Sequence, residues 1–204
     1  MPTFAAIAAV ALSGTDCGPA SGEIFPMSVG SVWNMDILDL AGPVTPSLDT
    51  FLTGTVVTTA IDRATLTSGE EVVRFRNDAT VHRRSPDSTY TITTYTCYRE
   101  DGDWILGYSA LDDTTADTVM VTGPSVGKTW HQGTATAEVI GQDDVSVPAG
   151  TYRDAWVVRV TSDQGIEMYS WYAKGTGLVR LHYAWAYQGY GQDYRQELTS
   201  ATIK

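Results

Sequence analysis

Cysteine, histidine and lysine are scarce in this 204-residue chain, and each scarcity excludes a class of chemistry. The two cysteines are Cys17 and Cys97. Neither has a second cysteine or a histidine at metal-ligand spacing, which excludes a zinc ribbon, and two cysteines cannot build a disulfide framework. A single Cys17–Cys97 bridge in an oxidising compartment stays open. His82, His131 and His182 never fall two or four residues apart, so no metal site is expected from them. No cofactor is expected either. Lysine and arginine together number 13 against 24 acidic residues, a formal net charge of −11. That balance repels phosphate backbones and anionic lipid surfaces, so nucleic acid is excluded as a partner.

Helical periodicity is also missing. Apolar residues rarely recur at i, i+3, i+4 and i+7 over any long window, whereas alternation is common and Thr, Val and Tyr are abundant. The alternation predicts strands over Val32–Leu40, Leu52–Arg63, Glu71–Asn77, Tyr90–Glu100, Trp104–Ala110, Thr134–Gln142, Asp154–Thr161, Glu167–Ala173, Gly177–Tyr187 and Tyr194–Ile203. Short turns separate many of them, such as Thr67-Ser-Gly69, Asp101-Gly102-Asp103 and Ser162-Asp-Gln-Gly165. Such connections cannot hold crossover helices, so the class is all-β, a meandering antiparallel sheet with few or no helices. Ala41–Thr50 and Asp112–Pro124 read as surface loops.

No hydrophobic run is long enough to span a bilayer as a helix. Phe4–Leu12 is apolar and of signal-peptide length. Residues 1–22 are therefore expected to be an export-signal remnant or flexible segment, and 23–204 a single β-domain. Cys17 is a lipidation candidate, although Gly14-Thr15-Asp16 before it makes a poor lipobox. These features point to an extracytoplasmic protein that meets a membrane only through a lipid anchor.

One motif recurs. Ser28-Val-Gly-Ser-Val-Trp33 is echoed by Ser125-Val-Gly-Lys-Thr-Trp130, each with a proline just upstream and a strand expected after it. The echo reads either as a duplication of two half-sheets or as one favoured turn used twice. Further on stand Val145-Ser-Val-Pro-Ala-Gly-Thr-Tyr152, Trp171-Tyr-Ala-Lys-Gly-Thr-Gly-Leu-Val-Arg180 and Glu197-Leu-Thr199. In this order, together with Phe25–Trp33 and Val126–Trp130, the blocks resemble the TapB-like family of bacterial extracytoplasmic proteins. The family usually has Ala-Pro-Gly-Val-Gly where this chain has Ala173-Lys-Gly-Thr-Gly177. The resemblance implies a curved sheet similar to the half-barrels of lipoprotein carriers, and it implies no catalytic residues.

Few constellations suggest chemistry. Gly123-Pro-Ser-Val-Gly127 matches a nucleophile elbow, but the mechanism needs a helix after the serine and a strand is expected here. The acidic pairs Glu70-Glu71, Asp112-Asp113 and Asp143-Asp144 would point to opposite strand faces and read as solvated turns. The informative pattern is an aromatic stripe. Val179, Leu181, Tyr183, Trp185 and Tyr187 alternate with Arg180, His182, Ala184, Ala186 and Gln188. Period-2 spacing puts the first set on one face, with Val179 and Leu181 in the core. Tyr183, Trp185 and Tyr187 are then candidates to contact an apolar, lipid-like or glycan ligand on the concave face. The leading expectation is a non-enzymatic envelope protein with such a ligand. One alternative is a structural subunit that adds its segment Thr3–Leu12 as a strand to a neighbouring copy. A hydrolase using Ser125 ranks last.

Overall fold

The computed structural model describes residues 24–45 and 47–204. Cys17 and the segment Thr3–Leu12 lie outside the described residues. Every element is a β-strand: β1 Val32–Pro43, β2 Asp49–Thr65, β3 Glu71–Arg84, β4 Asp87–Asp101, β5 Trp104–Tyr108, β6 Asp117–Val121, β7 Thr129–Gln132, β8 Ala135–Val147, β9 Gly150–Thr161, β10 Glu167–Ala173, β11 Gly177–Tyr187 and β12 Tyr190–Thr202. All neighbours pair antiparallel, in the order β6-β5-β4-β3-β2-β1-β12-β11-β10-β9-β8-β7. The sheet is thus a meander whose first and last strands pair in its middle, from Val32↔Thr202 to Pro43↔Tyr190. It curls until β6 and β7 come close. At that seam the contacts are made by side chains, not by a ladder. The Asp117 carboxylate accepts from the Gly133 amide at 3.1 Å. Lys128 bridges to Asp103 at 2.9 Å and lies over the Trp104 ring.

The expected all-β meander is present, and it is closer to closure than a half-barrel. Strand extents differ from the alternation pattern in several places: β7 was not expected, the expected loop Ala41–Thr50 is strand at both ends, β8, β9 and β12 are longer than expected, and two further differences have a clear physical cause. Residues 78–84 and 87–89 continue β3 and β4 although most of them are polar. Cross-strand bonds sustain them: Thr93 to Asp78 at 2.7 Å, and His82 to Thr89 at 3.1 Å. The stretch Asp112–Pro124, expected to be a loop, contains β6, because Val119, Met120 and Val121 are buried in the core.

The repeated motif forms the same local structure twice. Gly30 and Gly127 have φ of 92° and 85°, a region that favours glycine. In each copy the residue after the glycine donates its amide back to the serine carbonyl, Ser31 to Ser28 at 2.9 Å and Lys128 to Ser125 at 3.0 Å. The glycine amide then bonds the carbonyl of a following strand, Ala60 or Val139, at 2.7 and 2.8 Å. Each motif ends on a buried tryptophan, Trp33 or Trp130. The molecule therefore consists of two six-strand halves, β1–β6 and β7–β12, that start alike.

One end of the barrel is packed shut. Phe25 from the entering chain sits edge-on to Tyr98, with ring centroids 5.4 Å apart. Phe75 contacts Tyr98 at 5.3 Å and Trp33 at 6.2 Å. The tip of the β8–β9 hairpin, within Val145–Tyr152, docks there, with the Ala149 amide on the Leu198 carbonyl at 2.9 Å. At the other end the strands are unequal. β4 pairs with β5 only from Cys97 onward, and β11 pairs with β10 only as far as Tyr183. Six strands (β11, β12, β1, β2, β3 and β4) therefore project past the rim as a curved apron.

The aromatic plug dictates a stability test. Phe75 is fully buried among rings, so Phe75→Ala should cost about 3–5 kcal/mol. Urea unfolding followed by tryptophan fluorescence checks this. A loss under about 1 kcal/mol would mean the plug does not hold the closed end together.

Candidate ligand-binding face

The apron begins where β11 leaves β10, at Tyr183. From there β11 and β12 pair Tyr183↔Tyr194, Trp185↔Gln192 and Tyr187↔Tyr190. Residues opposite one another in an antiparallel ladder share a face, and so do residues two apart. These six side chains therefore form one column. Leu181 and Gln196 continue it into the core and are buried, which places the column on the concave face. The turn at its tip is Gln188-Gly189, both with positive φ (50° and 81°), as a two-residue hairpin loop requires. The Gly189 carbonyl accepts from the Val44 amide at 2.9 Å, which fastens this tip to the β1–β2 loop.

Exposure rises along the column. Tyr194 is 8% exposed, Tyr183 and Trp185 are half-buried, and Tyr187 and Tyr190 are 69% and 62% exposed. At the deep end Tyr183 stacks on Tyr194, with centroids 5.1 Å apart and planes 13° apart. In the middle, Trp185 Nε1 donates to Gln192 Oε1 at 3.1 Å. The Gln192 amide nitrogen in turn donates to both oxygens of Asp39, at 3.0 Å each. Asp39 comes from β1 and pairs with Tyr194.

Asp39 is a buried carboxylate with one amide donor, an electrostatically costly arrangement. Burial raises its pKa, the Gln192 hydrogen bond works against the rise, and the Asp193 charge adds to it. Burial also pushes the Tyr183 phenol up to about 12, with a further contribution from Asp39. Tyr194 is raised for the same reason, first by burial and then by Tyr183 and Asp39. Asp193, on the outer face, moves the other way, because Arg195 and His182 hold it ionised. Farther along the concave face, Thr58 donates to Asn77 at 2.8 Å. Asn77 Nδ2 and Thr96 Oγ1 are buried without a hydrogen-bond partner among the described residues.

Of the residues expected from the sequence, Val179 and Leu181 are core, as expected, and Tyr183, Trp185 and Tyr187 share the column. Asp39, Tyr190, Gln192 and Tyr194 were not anticipated. The spacing of Tyr190, Gln192 and Tyr194 across a Gln-Gly turn mirrors that of Tyr187, Trp185 and Tyr183, and this was the available signal. Asp39 follows Trp33, Met35 and Ile37 at period 2, a polar residue closing an inward row. The other candidates stay apart. Ser125 is exposed in a turn that leads into β7, a strand and not a helix. His82 bonds Thr89, His182 bonds Asp193, and His131 is exposed. Among the described residues no group of three or more His, Cys, Asp or Glu could hold a metal. Cys97 is a buried free thiol.

No protein-family model matches the chain, and neither does any curated protein. The comparisons thus give no support for the resemblance to the TapB-like family. Two solved structures are similar in shape. One is a Bacteroides fragilis protein inferred to be exported, with a YmcC-like fold. It has a TM-score of 0.40 and 12% identity, over 89% of this chain and 99% of that one. The other is a Parabacteroides distasonis protein inferred to be a lipoprotein. Its TM-score is 0.38 at 15% identity, over 92% of this chain and all of that one. At these scores the likeness assigns no function.

The raised pKa of Asp39 predicts a pH effect of definite sign. Its proton is held more tightly in the folded protein than in the unfolded chain. Its contribution to stability is full below the unfolded value, near 3.9, and is lost as pH rises through the folded value. Asp39→Asn should therefore gain stability relative to wild type as pH rises from about 4 to 7. Urea unfolding of both proteins at several pH values measures the difference. A difference that shrinks with rising pH would contradict this electrostatic account.

Proposed function

We propose that this protein is a non-enzymatic extracytoplasmic binding protein whose ligand lies on the concave face of the apron. The apolar N-terminal run Phe4–Leu12 supports export, and Cys17 supplies a candidate lipid anchor. The observation that carries the binding proposal is the graded column, in which large aromatic side chains pass from core to solvent on a concave surface. Exposed tyrosines cost solubility unless they contact something, and aromatic residues with polar tips suit a partner that is part apolar and part hydroxylated. The side chains beside them are Gln192, which accepts from Trp185 and donates to Asp39, and Asp39, which accepts. This chemistry favours a glycan or the polar end of a lipid-like molecule over a bare acyl chain. Ser125, the candidate nucleophile, stands in an exposed turn without the helix an elbow requires, which speaks against its use as a nucleophile.

A glycan microarray and titration with N-phenyl-1-naphthylamine, a neutral apolar fluorophore, test the two ligand chemistries. Binding to the array is expected. The double variant Tyr187→Ala, Tyr190→Ala should weaken it by about tenfold or more. Both side chains are exposed, so the melting temperature should stay near wild type. Binding of the fluorophore alone, weakened by the same variant, would move the assignment to a lipid-like ligand. No binding in either assay, or binding the variant leaves unchanged, would rule out this face.

A further inference from the structure

The apron has a second border, along β4. From Ser88 to Thr96 this strand pairs with β3 on one side, and on the other side no strand among the described residues joins it before β5 does at Cys97. Residues 87–93 are exposed throughout, and Tyr90, Ile92 and Tyr95 are 42%, 47% and 50% exposed. A strand edge of this kind offers a row of free amides and carbonyls to any strand that meets it. The other borders are protected. β6 and β7 are five and four residues long. β8, beyond its pairing with β7, is interrupted by two bulges and carries Asp143 and Asp144. The window Ser88–Thr96 has no charge, no proline and no bulge.

We propose that this edge pairs with the same edge of a second copy, forming a two-fold antiparallel dimer centred on Ile92. The window itself selects this register. It ends at Cys97, where β5 takes over, and at Asp87, where the hairpin from β3 turns. Its midpoint is Ile92, so a two-fold axis there pairs Ser88 with Thr96 of the other copy and uses the whole free edge. On the concave face Ile92 meets Ile92 and Tyr90 meets Thr94. On the convex face Thr91 meets Thr93 and Thr89 meets Tyr95. Every pair is uncharged, and threonine and aromatic cross-strand partners stabilise a sheet. A copy whose net charge is −11 meets its twin here along a neutral strip. A two-fold contact closes on itself and leaves no edge to propagate. The contact falls at the small end of specific interfaces, below about 1,200 Å², so the dimer exchanges with monomer.

Sedimentation velocity of the full chain over a concentration series tests this. A reversible monomer–dimer equilibrium is expected. Ile92→Lys, which sets two lysines face to face on the axis, should weaken it by at least about tenfold. Its melting temperature should match wild type, because Ile92 is half exposed. In a Cys17→Ser background, Ile92→Cys should oxidise to a covalent dimer and Thr89→Cys, which faces Tyr95, should not. A chain that stays monomeric over the series overturns the proposal, as does a dimer that survives Ile92→Lys. A monomer in which the amides of Ser88–Thr96 that point away from β3 resist hydrogen exchange also overturns it, since the edge is then covered by a segment of the same chain.

Discussion

The ladder between β1 and β12 is the contact on which the rest of the sheet depends. It joins the first strand to the last across twelve registered pairs. On either side of it the chain is a local meander, β1 to β6 one way and β12 to β7 the other. Each half is made of hairpins between consecutive strands. The seam between β6 and β7 is held by side-chain contacts such as Lys128 with Asp103 and does not substitute for a ladder. Without β1–β12 there are two six-strand curls, each with its apolar face uncovered. With it, Met35 and Leu198 sit opposite one another, both fully buried, and the two inner faces become one core. Many of the bonds that fasten the ends of the chain serve this ladder. Ser28 donates to the carbonyl of Lys204, and the Lys204 amide donates to Ser31.

That closure is lopsided, and the lopsidedness creates the concave face proposed to bind a ligand. Phe25, Trp33, Phe75 and Tyr98 fill one end with rings in edge and tilted contacts. No equivalent plug stands under the apron among the described residues. There the inner face changes from Leu181 and Leu198 to Gln196, Gln192 and Asp39, with tyrosine and tryptophan between them. A core built for stability alone would not bury Asp39 against a single amide. Burial disfavours its charged form, and the Gln192 hydrogen bond offsets this only in part. Costs of this kind concentrate where a surface has work beyond folding.

Much of this was readable from the residues. Alternation identified the class and ten of the strands, because a half-buried strand imposes period 2 whatever its partners are. Turns such as Asp101-Gly-Asp103 and the two Ser-Val-Gly motifs were legible because positive φ selects glycine. The extensions of β3 and β4 were not legible. In residues 78–84 and 87–89 only Ala79 and Val81 carry the apolar alternation on, and the rest of the strand character comes from cross-hairpin partners such as Asp78 and Thr93. The column was half legible. Tyr183, Trp185 and Tyr187 lie on one strand and show their spacing, whereas the placing of Tyr190, Gln192 and Tyr194 beside them needed the register of the turn. Asp39 was hidden because its neighbour in space, Gln192, is 153 residues away.

The apron explains why the concave column and the β4 border occur in one molecule. Strands that stop at the rim have neighbours on both sides and a packed core on one face. Strands that run past the rim lose a neighbour at each side of the projecting group and lose the core beneath it. They then present an inner face that needs a ligand or stays wet, and edges that need a partner or protection. The β11 border is short, from Ala184 to Tyr187, and ends in a tight hairpin. The β4 border is long and uncharged. The two borders lie on opposite sides of the apron, separated by β12, β1, β2 and β3. Pairing along β4 would therefore extend the concave surface while leaving the aromatic column at its far side untouched. The proposed ligand contact and the proposed self-association trace separately to one geometric fact, the unequal length of the strands.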